Sequence, residues 1–218
     1  TVITPLIASF GADAVAAFGA ASRVEALSLI FFFGLSAVIG PFVGQNQGAG
    51  LYDRVRHGAR STYLFCLGFG ALLFVVFVFA RHAVAGWFSD DPRVIEIAAA
   101  YLLLMPIGWG MHGVVMNVNA AFNGLGRPMR AVWLSVTRMV ALFLPLAWLG
   151  SHFVGVDGIW LGGASANVLA GLIGLAWSYR TTRDDELAEI DAGPRSPSAA
   201  GDAASPESAA EPSPSGAA

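Results

Sequence analysis

Lysine is absent: all twelve basic residues are arginine, a compositional bias that carries no mechanism. Charge of either sign is scarce. Only 12% of the 218 residues are charged, against ~25% in soluble domains, which excludes an ordinary water-soluble domain with a charged outer face. A single cysteine, Cys66, excludes an internal disulfide; inside an apolar run it reads as a small packed hydrophobe. No G-x-x-x-x-G-K-[ST] loop, H-E-x-x-H, C-x-x-C pair or G-x-S-x-G elbow occurs. Phosphate cradling, zinc-dependent hydrolysis and a serine nucleophile therefore have no motif to rest on. The chain is expected to be no enzyme, with no catalytic residue, no metal, no bound cofactor and no nucleic-acid partner.

What is present is apolar: 56% of residues are hydrophobic and the mean hydropathy is +0.63. A helix that spans a bilayer needs ~20 mostly apolar residues. Residues 20–44, 61–80, 97–122, 131–150 and 159–179 each supply a full span, and residues 1–10 about half of one. The fold class is therefore all-α, a polytopic transmembrane helix bundle of five full spans and one partial one, with the lipid bilayer as its surroundings. Thr1 is not a methionine, and TVITPLIASFG reads as the end of a helix entered midway, so a fragment or a processed N-terminus is expected.

Arginines alternate from loop to loop. Arg54, Arg56 and Arg60 follow the first span, Arg127 and Arg130 the third, and Arg180 and Arg183 the last, whereas the intervening loops are acidic (Asp90, Asp91, Glu96) or nearly neutral. This positive-inside pattern places the basic loops and the C-terminus in the cytoplasm, in a bacterial inner membrane. The bundle is expected to occupy residues 1–183. Residues 184–218 have no aromatic residue and no large aliphatic one after Ile190, so they are expected to form a disordered acidic tail.

Ionisable residues inside a membrane are expensive, roughly 2.5–3.5 kcal/mol each on insertion scales. Three stand out: Arg23, Glu25 and Arg138. In the segment GAASRVEALSLIFFFGLSAVIGPFVGQNQGAG no further charge follows Glu25 until Asp53. Arg23 and Glu25 point about 200° apart around a helix, so they read as separate anchors rather than partners. Arg23, near the start of the 20–44 span, suits snorkelling to the interface. Glu25, on a face with Ser22, Phe32 and Ser36, suits a structural ion pair or a proton or cation site equally well. Arg138 reads as a structural charge pairing with a helix C-terminus or a carboxylate, ahead of substrate contact.

The third span carries Tyr101, Met105, Trp109, His112, Met116, Asn119 and Asn123 at steps of three and four, one face of one helix. A lipid-facing stripe would be leucine, valine and isoleucine. This face suits either a tight helix interface or a substrate cavity, because aromatic rings and methionine accept varied apolar ligands and organic cations. His112 alone makes no metal site. In the last span Gly158, Gly162, Ala166, Ala170 and Gly174 recur every four residues, a stripe that lets helix backbones approach. Asn167 beside it is placed to bond a neighbouring helix.

These segments carry a family likeness. G-A-A-S-R-V-E leading to V-G-Q-N-Q-G-A-G, then F-S-D-D-P-R-V, then F-N-G-L-G-R-P with its Arg-bearing helix, and finally GVDGIWLGGASANVLAGL occur in order. Together they resemble the C-terminal half of multidrug and toxic compound extrusion (MATE) transporters. The resemblance implies twelve helices in two lobes, this chain supplying one lobe, helices seven (partial) to twelve, with the N-terminal lobe as its missing partner. It implies efflux of drugs, dyes or metabolites, often cationic, by antiport with H⁺ or Na⁺. Some branches of that family use a carboxylate on helix seven and an aspartate on helix ten. Helix ten here, residues 97–122, has no aspartate; His112, Asn117 and Asn119 are its polar groups. That departure shifts the coupling role to Glu25 or to the missing lobe. A lipid-linked oligosaccharide flippase of related architecture and a non-transporting membrane scaffold are the alternatives.

Overall fold

Three helical runs are long and apolar enough to cross a membrane unaided, and two further pairs of helices reach that length only across a bend. The computed structural model describes residues 3–183 and 187. In chain order the helices are α1 (Ile3–Ala8), α2 (Ala12–Ser28), α3 (Ile30–Gly48), α4 (Tyr52–Gly86), α5 (Pro92–Leu104) and α6 (Pro106–Gly124), with no strand among the described residues. Then come α7 (Pro128–Val136), a π-helical segment (Thr137–Phe143), α8 (Leu144–Val154) and α9 (Val156–Thr181). Counting each bent pair as one span gives five, and α1 is the partial one. The expected tail lies outside the described residues, apart from Leu187.

Each break has a local cause. Pro106 has no N–H to continue α5 and its ring crowds the carbonyl one turn back; α5 and α6 meet at 52°. At the junction of α2 and α3, bent by 42°, Ser28 Oγ donates to the Val24 carbonyl at 2.8 Å, the back-bonding that bends helices. The π-helical segment ends just before Pro145 and carries Arg138, and such widened turns gather at functional sites. One expected boundary is corrected. The span read as 20–44 begins at Ala12 and ends at Gly48, so Arg23 lies ~16 Å into α2, exposed, rather than near its outer end.

Helix α6 is the hub, packed against α3, α4, α7 and α9. Glycine makes the closest crossings possible. A Cβ on Gly70 of α4 would stand 2.3 Å from the Gly110 Cα of α6. The small-residue stripe of α9 packs on the preceding span as expected: Gly158 meets Gly150, Gly162 meets Leu146 and Ala147, Gly174 meets Leu134, and Ala166 and Ala170 are fully buried.

Two of the recurring motifs are helix ends. In Q-N-Q-G-A-G-L the Leu51 N–H reaches the Asn46 carbonyl at 2.8 Å and the Gly50 N–H reaches Gln47 at 2.9 Å; in F-N-G-L-G-R the Arg127 N–H reaches Phe122 at 2.8 Å and the Gly126 N–H reaches Asn123 at 3.1 Å. Both are Schellman caps with a glycine at φ +69°, where a side chain is strained. Gly126→Ala is expected to lower stability by about 1 kcal/mol, read as an earlier unfolding transition in detergent titrated with SDS; Gly68→Ala, whose Cβ meets nothing within 4 Å, serves as its control. At the opposite end Asp91 caps α5, its Oδ1 accepting the Arg93 N–H at 2.8 Å, with Pro92 at the first helical position.

Candidate functional site

Glu25 extends from α2 toward the α5–α6 break. Tyr101 Oη donates to Glu25 Oε2 from α5, and Trp109 Nε1 donates to Oε1 at 3.0 Å from α6. On a straight helix these two donors would start ~12 Å apart along the axis; the bend at Pro106 turns them toward one carboxylate. Bonds to a charged acceptor are worth ~1.5–3 kcal/mol each, so the carboxylate is held rather than merely tolerated. Among the described residues no cation lies within 4 Å of it. Among the described residues the carboxylate of Glu25 is hydrogen-bonded to two neutral donors.

Aromatic rings enclose this group. Trp160 of α9 meets Tyr101 edge-on at a ring separation of 4.8 Å and stacks with Phe18 of α2 at 5.8 Å, and Phe77 of α4 meets Trp109 edge-on at 5.4 Å. The Trp160 indole N–H is buried with no acceptor among the described residues.

A second polar group follows along α6. Arg138 Nη1 lies 3.3 Å from Asn167 Oδ1 and 3.4 Å from His112 Nδ1, and His112 Nδ1 lies 3.3 Å from the same Asn167 oxygen. The guanidinium only donates. If Arg138 donates to Nδ1, the imidazole proton sits on Nε2; if Nδ1 carries the proton, both His112 and Arg138 donate to Asn167 Oδ1. In either tautomer the Arg138, His112 and Asn167 side chains together join α6, the π-helical segment and α9. Among the described residues Arg138 has an amide and an imidazole as hydrogen-bond partners.

The stripe predicted as one face does not stay together. Tyr101 and Trp109 converge on Glu25, and His112 on Arg138. Met105 packs where a Cβ on Gly163 would stand 3.1 Å from its sulfur. Met116 is partly buried against the core. Asn119 Nδ2 bonds Ser135 Oγ of α7 at 2.9 Å, while Asn123 is exposed in a shallow hollow beside Gly40 and Gly44. So the upper stripe builds the site and the lower stripe packs helices. Periodicity missed Phe18, Phe77 and Trp160. Phe18 and Phe77 look like any apolar span residue, but Trp160, a large ring within a small-residue stripe, was a visible signal. Among the described residues no group of three His, Cys, Asp or Glu side chains could hold a metal ion.

A bundle of bent membrane-length helices around a part-buried carboxylate is the fold of a membrane transport protein. The family model MatE matches residues 1–149, and the chain belongs to that family, whose members are transporters using ion coupling. It is 38% identical over 171 residues to a protein of Shewanella oneidensis named FAD transporter, covering 78% of this chain and 38% of that one. It is 24% identical over 154 residues to the probable multidrug resistance protein NorM of Thermotoga maritima, covering 70% and 33%. The bent form of the Vibrio cholerae MATE transporter VcmN superposes with a TM-score of 0.81 at 30% identity, covering 87% of this chain and 42% of that one. The chain thus spans less than half the length of these relatives.

Proposed function

We propose that this chain is the C-terminal lobe of a secondary transporter that exports organic compounds by antiport with protons, Glu25 being the proton-carrying group. The observation that supports this most directly is the carboxylate of Glu25 held, among the described residues, by hydrogen bonds from Tyr101 and Trp109. The Trp109 N–H is a donor only and points its positive end at the carboxylate, so it opposes a bound Na⁺, which would need several oxygens around it. A proton needs only the carboxylate. Alternating access requires two repeats moving about a shared site, and an N-terminal lobe supplies the second. The arginine distribution supports an inner-membrane orientation with the basic loops and the C-terminus cytoplasmic.

The aromatic cluster of Phe18, Tyr101, Trp109 and Trp160 favours planar aromatic substrates, including the cationic drugs and dyes of the multidrug relatives. Arg138 favours a second reading, export of a flavin dinucleotide, because its cation lies one turn beyond the same aromatic cluster and the Shewanella relative is named for FAD. The test uses everted vesicles carrying the protein, loaded with a pH-sensitive dye. Adding ethidium or FAD to energised vesicles is expected to release protons, with no change when Na⁺ is omitted. Proton release absent with both substrates, or dependent on Na⁺, overturns the coupling assignment; the substrate that elicits it decides between the two readings.

A further inference from the structure

A separate cleft of about 780 Å³ opens between the first turns of α4 and the last turns of α9, away from Glu25. We propose that it binds an anionic phospholipid. Arg60, Arg183 and His57 stand at its mouth, and Leu64, Leu67 and Leu175 line its walls. Its negative charge, Asp53, is already paired with Arg56. Neither Arg60 nor Arg183 has a carboxylate within 4 Å among the described residues, and three basic side chains of the described lining (His57, Arg60 and Arg183) face the cleft beside the Asp53–Arg56 pair. Behind it Tyr63 Oη and Ser178 Oγ, 2.7 Å apart, bridge the two helices as a polar shelf. The volume falls in the ~300–1,000 Å³ range of small-molecule sites.

The shape decides between a lipid and a soluble anion. From Arg60 to Leu67 the cleft descends ~10 Å along α4, from headgroup depth into the apolar layer. Beside it Leu64, Phe65 and Leu172 are 58%, 48% and 50% exposed, so the apolar wall continues outward without a polar rim. A soluble anion would leave that wall unused, whereas a phosphodiester at the arginines places acyl chains along it. Basic pockets between spans on the positively charged side are known to take acidic headgroups. The site is independent of what the protein transports.

The test titrates the purified full chain in detergent with dioleoylphosphatidylglycerol and counts bound lipid by native mass spectrometry. Each arginine at a membrane surface contributes about five-fold to acidic-lipid binding, so Arg60→Gln with Arg183→Gln is expected to weaken it about 25-fold. Arg54→Gln with Arg127→Gln, the same charge loss outside the cleft, is expected to change it by about twofold at most. Leu175→Trp, which fills the cleft without altering charge, is also expected to abolish the bound lipid and covers the case in which the double arginine variant fails to fold. An equal loss in the two double variants would mean general surface attraction. Phosphatidylcholine bound as well as phosphatidylglycerol, displacement by free glycerol phosphate, or retention by Leu175→Trp would each overturn the proposal.

Discussion

Glu25→Gln is expected to abolish proton-driven transport while leaving the bundle folded and inserted. Glutamine has the length of glutamate and can satisfy both neighbours: its Oε1 accepts from Trp109 Nε1, and its amide donates to Tyr101 Oη, which accepts in turn. What it cannot do is lose and regain a proton. Coupling free energies between sites run ~1–3 kcal/mol, or about 5- to 150-fold, so the gradient-driven component of efflux should fall at least about fivefold. The measurement is substrate flux in everted vesicles with and without a pH gradient, beside the amount of protein in the membrane. A variant that keeps the full response to the gradient would remove Glu25 from the coupling role. Glu25→Asp is the informative companion: it keeps the charge but is one methylene too short to hold both donors, so an intermediate rate is expected.

Gly158→Val is expected to be the most damaging single change away from the candidate site. A Cβ at Gly158 would stand 1.9 Å from the Gly150 carbonyl oxygen. The obstacle is backbone on the facing helix, so no rotamer relieves it, and α8 and α9 must separate. Overpacking ordinarily costs ~1–3 kcal/mol and sometimes more; with backbone against side chain about 3 kcal/mol or more is expected here. Trp160 is two residues further along α9 and packs on Tyr101, so the displacement should carry to Glu25 as well. SDS-titrated unfolding of the detergent-solubilised protein is the check. Wild-type resistance would mean that α8 and α9 do not cross at this point.

The site was legible in the sequence to the extent that rarity makes residues visible. Glu25 and Arg138 stood out because a charge in an apolar run needs a reason. Tyr101, Trp109 and His112 stood out because polar rings do not belong on a lipid face. Their grouping was not legible, because steps of three and four assume a straight helix and Pro106 bends this one. The bend brings Tyr101 and Trp109 from its two sides onto Glu25, while His112 meets Arg138, Met105 packs on α9, Asn119 bonds α7 and Asn123 is exposed. Hydropathy begins a span where apolar residues become dense, whereas hydrogen bonding begins this helix at Ala12.

By itself the sequence determined what each residue's own chemistry decides locally. Apolar length dictated helices that satisfy their backbone internally, as a bilayer demands. Proline dictated where α5 stops, glycine where α3 and α6 are capped, and small residues which face of α9 lies against its neighbour. Only the tertiary structure decided which distant groups meet: Tyr101 and Trp109 on one carboxylate, His112 and Asn167 on one guanidinium, Tyr63 against Ser178. Those meetings depend on helix tilt and bend, which are set by the summed packing of several helices and have no local signature in the chain.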